Sequence, residues 1–127
     1  MVRSAAGRFD LNSIRLCRLD EIPDRGARGF ALRGADGREL RIFAVRRGNG
    51  VHAYVNRCPH RGTPLDWVPD QLFDRTGRYL VCATHGALFQ VEDGVCVSGP
   101  CFGDQLTPVP LAIEDGVLHA PAEIEEL

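Results

Sequence analysis

Two short Cys/His pairs set the terms for this chain. Cys58-Pro59-His60 is followed, after twenty-one residues, by Cys82-Ala83-Thr84-His85. Glycine closes each pair, as Arg61-Gly62 after the first and Gly86 directly after the second. A glycine there lets the backbone turn sharply and lets a bulky group approach it. Two thiolates and two imidazoles on two loops suit either a single zinc ion or an iron–sulfur cluster in which imidazoles replace two thiolates. From the residues alone, both chemistries stand.

The rest of the composition narrows the class of protein. A chain of 127 residues is expected to be one domain with its own core. With 44% hydrophobic and 25% charged residues it reads as globular and soluble. A net charge of −2 points to neither nucleic acid nor an anionic membrane as partner. All fifteen basic residues are arginine, which reads as compositional bias. No apolar run approaches the length that spans a bilayer, and Met1 to Asp10 lacks the apolar stretch of a secretory signal. Five cysteines, two of them in the motifs, suit a reducing compartment with a metal site better than a disulfide framework. The expected location is the cytoplasm.

Hydrophobic alternation and turn residues predict many short strands. Residues 1–13 read as a lead-in, Ile14 to Leu19 as a strand, Asp20 to Gly29 as a loop and Gly29 to Arg33 as a short strand. Gly34-Ala35-Asp36-Gly37 closes a hairpin with Glu39 to Arg46, and Arg47-Gly48-Asn49-Gly50 turns the chain into Val51 to Val55. Trp67 to Gln71 reads as loop, Leu72 to Asp74 as a short strand, and Tyr79 to Val81 as the strand leading into Cys82. Ala87 to Val91 pairs with Val95 to Val97, and Pro108 to Ile113 pairs with Val117 to Ala120. The tail from Glu123 to Glu126 reads as solvated. Such spacing predicts an all-β fold, a sandwich or partial barrel.

The motif pattern resembles the Rieske family, whose signature is Cys-x-His on one loop and Cys-x-x-His on the other. The resemblance runs from about Cys58 to Pro100, where Ser98-Gly99-Pro100 is similar to the family's proline-bearing third loop over the cluster. It implies an antiparallel β-sandwich over residues 1–127, with a small cluster-binding subdomain at about residues 57–101. It also implies one 2Fe-2S cluster, with Cys58 and Cys82 on one iron and His60 and His85 on the other. Two thiolates then leave the oxidised site neutral. An electron is accepted more easily there than at a four-Cys site, with potentials of about −150 to +300 mV against about −400 mV. High-potential respiratory members carry a Ser and a Tyr where this chain has Ala87 and Phe89, and a disulfide where it has Thr63 and Thr84. Those departures imply a low-potential, oxygenase-associated ferredoxin, with a midpoint in the lower third of the window from about −150 to +300 mV; a value above about +100 mV would refute this.

The implied function is a one-electron carrier and not an enzyme, taking electrons from a flavin-dependent reductase to an oxygenase component. A self-contained oxygenase needs a further iron held by two His and a carboxylate. Only His52 and His119 remain for it, and the chain ends at Leu127, so none is expected. An electron-transfer subunit of a nitrite-reductase-like complex and a zinc-stabilised or redox-sensing interaction module are the alternatives. Cys96 and Cys101, five apart, could pair or tune the site but read first as buried free thiols; Cys17 reads as a core residue, and His52 and His119 as non-ligands. Trp67, Phe73 and Phe89 read as core or cluster cover, and Arg57 and Arg61 either frame the site for an acidic partner or are simply solvated.

Overall fold

The computed structural model describes residues 13–33, 37, 39–59, 64–66, 71–83 and 86–121. His60 and His85, Arg61, Thr63, Thr84, Trp67, most of the lead-in, the Gly34–Asp36 turn and the tail lie outside them. The described residues form nine strands in three antiparallel three-stranded sheets, and their only helical element is a 3-10 turn at Leu19–Glu21. The all-β expectation holds.

The central sheet is the meander β2 (Gly26–Arg33), β3 (Glu39–Arg47) and β4 (Gly50–Val55). Side chains alternate across a strand, and here both faces are covered. Phe43 and Val45 of β3, with Tyr54 of β4, join one core cluster; Ile42, Ala44, Ala53 and Val55 join the other. The continuous buried run Ile42–Val45 is therefore a strand between two cores.

One of those cores is shared with β1 (Ile14–Arg18) and β9 (Val117–Ala120), and β8 (Ala112–Glu114) extends their sheet in the order β1-β9-β8. A register shift between Arg15 and Cys17 in the β1–β9 ladder puts Leu16 and Cys17 inside in succession. The second core is shared with β5 (Tyr79–Val81), β6 (Leu88–Gln90) and β7 (Cys96–Ser98). Tyr54 anchors it, its hydroxyl donating to the carbonyl of Val91 at 2.6 Å. Arg47 braces the same side from the end of β3, pairing with Glu92 at 2.8 Å and donating to the carbonyl of Arg78 at 2.6 Å.

Several boundaries differ from the sequence expectation. β2 begins at Gly26, three residues earlier than read, because Gly26, Ala27 and Arg28 pair with Arg46, Val45 and Ala44 although their own propensity for strand is weak. The turn before β4 is tighter than read: β3 runs through Arg47 and β4 resumes at Gly50. Leu72 to Asp74 makes only a bridge, Phe73 with Leu80. Pro108 to Ile113 is a strand only from Ala112, because Pro108 and Pro110 have no N–H for a ladder. That segment instead runs beside β4, with a bridge from Pro108 to Tyr54 and a bond from the Val109 amide to the Ala53 carbonyl at 2.9 Å.

Candidate metal centre

β4 delivers the first motif. Directly past its end, Asn56 is the one buried polar side chain among the described residues. Its carbonyl oxygen accepts the amide of Leu65 at 2.8 Å, and its amide nitrogen donates to Asp66 at 3.0 Å. A single side chain thus clamps both ends of the loop that carries Cys58. The backbone N–H of Asn56 in turn donates to the carbonyl of Arg41 at 2.8 Å, fixing the clamp to β3.

β5 delivers the second motif, and β6 takes the chain away from it. The Cys82 amide donates to the carbonyl of Ala87 at 2.9 Å, and the Gly86 amide donates back to the carbonyl of Cys82 at 2.7 Å. Gly86 has φ +69°, the left-handed conformation that a tight turn asks of glycine. Leu65 joins the two motifs: its carbonyl accepts the amide of Ala83 at 2.8 Å while its own amide is held by Asn56.

Cys58 and Cys82 are both buried, and they share a core cluster with Leu65, Ala87, Phe89, Cys96 and Cys101. No disulfide joins the five cysteines. Ser98-Gly99-Pro100 lies against the second motif: a Cβ on Gly99 would stand 2.8 Å from the Cα of Ala87. Cys101 follows directly, with its Sγ 2.8 Å from that of Cys96. Burial pushes the Cys101 thiol up to about 12, and the hydrogen bond with Cys96 and the nearness of Cys96 and Cys58 add to the shift.

Two buried thiols on loops tied through one leucine suit a metal–sulfur group, since thiolate ligands need a water-poor pocket and a fixed backbone. Among the described residues no three His, Cys, Asp or Glu side chains gather as a metal site. The two histidines of the expected set lie outside those residues. His52 sits on β4 along an open cleft with Glu92 and Asp93, and His119 on β9 lies 3.4 Å from the Ser13 hydroxyl. Phe89 is buried, Phe73 packs against the same core, and Arg57 is exposed. Asn56 and Leu65 were not singled out in the sequence; an Asn just after a strand and ahead of a Cys is the signal that could have drawn attention to them.

Comparison with known proteins agrees with this geometry. The Rieske [2Fe-2S] domain model matches residues 12–112, so the chain belongs to the Rieske [2Fe-2S] domain family, and its cofactor is one 2Fe-2S cluster. A chloroacetanilide N-alkylformylase oxygenase component of Rhizorhabdus wittichii is 41% identical over 90 residues, covering 70% of this chain and 22% of that protein. The oxidoreductase NdmD of Pseudomonas putida is 36% identical over 72 residues, covering 57% of this chain and 11% of that protein. The chain therefore spans a quarter or less of these relatives. Among solved structures, a chain from the complex of reduced oxygenase and oxidized ferredoxin in carbazole 1,9a-dioxygenase matches with TM-score 0.69 at 19% identity, covering 89% of this chain and 95% of that one. The ferredoxin of carbazole 1,9a-dioxygenase from Nocardioides aromaticivorans matches with TM-score 0.64 at 22% identity, covering 85% and 95%. At these identities the structures show the shared fold.

Proposed function

We propose that the chain is a low-potential, one-electron carrier in which Cys58, His60, Cys82 and His85 hold the cluster, taking electrons from a flavin-dependent reductase to an oxygenase component. The family match over residues 12–112 is the observation that carries this reading. When bound, the cluster supplies the one-electron couple. The chain's part is to keep the site dry and rigid, through the core around Cys58 and Cys82 and the Asn56–Leu65–Ala83 connection. Residues about 57–101 then act as a cluster-binding subdomain of a single domain. Exposed Arg57, next to Cys58, would meet an acidic patch on the partner, in a transient contact below about 1,200 Å². Among the described residues no helix is long and apolar enough to cross a membrane, and the reading places the carrier in the cytoplasm.

A second reading, the electron-transfer domain of a longer oxygenase or reductase, is favoured by the small share of each relative that the chain spans. The experiment is electron paramagnetic resonance of the protein reduced with dithionite, with the His60→Ala and His85→Ala variants. A rhombic signal lost in both variants supports the ligand set; a native signal retained in either overturns it. Size-exclusion chromatography of the protein from its native source then separates the carrier from the longer protein.

A further inference from the structure

We propose that Cys96 and Cys101 form a redox-active pair that closes to an intramolecular disulfide and staples the Ser98-Gly99-Pro100 segment against the second motif. The sulfurs are 2.8 Å apart without being bonded, and a disulfide needs about 2.0 Å, so closure asks for about 0.8 Å of movement. The thiols are already ordered in a chain: Cys101 donates to the sulfur of Cys96, and Cys96 donates to the carbonyl of Ser98 at 3.3 Å.

The backbone holds the two positions together without a covalent bond. The Cys96 amide donates to the Asp104 carbonyl at 2.8 Å, and the Cys96 carbonyl accepts the Gly103 amide at 3.1 Å. The Asp104 amide then donates back to the carbonyl of Cys101 at 2.8 Å. Gly103 has φ +91°, and a side chain there would meet nothing within 4 Å, so its role is to let the chain double back and bring Cys101 over Cys96. Both thiols are buried, yet Ser98, Gly99, Pro100, Phe102, Gly103 and Asp104 around them are all exposed. Opening the turn from Gly99 to Asp104, which follows β7, would expose the pair to a small oxidant.

The oxidant is a low-molecular-weight disulfide such as oxidised glutathione. One protein thiolate attacks it and releases the first glutathione thiol; the second attacks the mixed disulfide and releases the other. Two cysteine thiols and one glutathione disulfide become one protein disulfide and two glutathione thiols, so the two electrons and both protons leave on glutathione. A transient, redox-sensing bond of this kind is the sort found in reducing compartments. Closing the ring from Cys96 to Cys101 fixes Gly99 where it already touches Ala87.

The test is a thiol count on the cluster-loaded protein. The protein is held in glutathione disulfide until nothing further changes, then quenched in acid, unfolded and alkylated, and its mass is read. Alkyl groups should fall from five to three, with fragmentation placing the loss at Cys96 and Cys101 and leaving Cys17, Cys58 and Cys82 alkylated. In Cys101→Ser the deficit of two should vanish, replaced by glutathione retained on Cys96 or by four alkyl groups. Five alkyl groups in the unmodified chain, or a deficit mapping to Cys17, Cys58 or Cys82, would overturn the proposal. The wild-type map stands alone if the variant fails to fold. The count reads thiols, not electron transfer, so it stands or falls separately from the carrier function.

Discussion

The side-chain carbonyl of Asn56 accepts the amide N–H of Leu65 at 2.8 Å, nine residues away and across the loop that carries Cys58. Leu65 passes the constraint on, since its carbonyl accepts the amide of Ala83 from the second motif at 2.8 Å. One buried amide side chain therefore links two loops that, among the described residues, no strand ladder joins. Asn56→Ala leaves the buried Leu65 N–H without its acceptor, a loss of about 1–3 kcal/mol. The expected result is a lower denaturant midpoint with an unchanged slope, together with faster bleaching of the visible absorbance under a chelator. Asn56→Gln should not restore either, because the longer side chain moves the acceptor away from the Leu65 amide. A midpoint equal to that of the unmodified protein would remove the clamp from the argument.

Gly99 and Gly86 both have positive φ, +105° and +69°, but for different reasons. A Cβ on Gly99 meets the Cα of Ala87 at 2.8 Å, whereas a Cβ on Gly86 meets nothing within 4 Å. Gly86→Ala should therefore cost only the backbone term, about 1–2 kcal/mol. Gly99→Ala adds a backbone clash to that term and should destabilise more. Chemical unfolding of the two variants side by side gives the order, and an equal loss in both would show that Gly99 is not packed as described.

Much of the fold was legible in the chain. β5 and β9 fall where expected, because Arg75 to Gly77 and Asp115-Gly116 are turn residues flanking apolar runs. The family was legible too, since its Cys/His signature is written in residue types at fixed spacing. Gly26 to Arg28 and the Pro108 segment were misread for a common reason: a strand's ends are decided by its partner, here β3 and β4, and not by its own propensity. The Asn56 clamp was invisible for another, and the spacing of Cys96 and Cys101 showed only that they could pair. The clamp joins a side chain to a backbone amide across a loop, and the Cys96–Cys101 contact depends on Gly103 doubling the chain back. Neither leaves a period in the sequence.

Asp74 caps the turn before β5. Burial pushes its carboxyl up, but the Thr76 hydroxyl at 2.8 Å and the amides of Tyr79, Arg78 and Gly77 outweigh that and hold it below the usual carboxylate range. A carboxyl with a lowered folded value stabilises the fold above its unfolded value, about 3.9, and that contribution is lost as pH falls through the folded value. Asp74→Asn should therefore melt below the unmodified protein at pH 7. As pH falls below the unfolded value and through the lowered folded one, the two melting temperatures should converge. Thermal melts across that range check this, and a gap that stays constant into acid would assign the difference to packing.

Ala87 supplies the sharpest handle on the potential. It is fully buried, its carbonyl receives the Cys82 amide at 2.9 Å, and its Cα faces Gly99. A hydroxyl introduced by Ala87→Ser would sit in the pocket that holds Cys58 and Cys82, with sulfur as its acceptor. Reduction adds negative charge, so a donor to sulfur favours the reduced form and raises the midpoint. Phe89→Tyr is the complementary change, adding a hydroxyl from a second fully buried position on β6. Each variant should shift the midpoint upward by tens of millivolts in a redox titration, with the visible spectrum retained. If both hydroxyls are accommodated and neither moves the midpoint, donors at these positions do not set the potential.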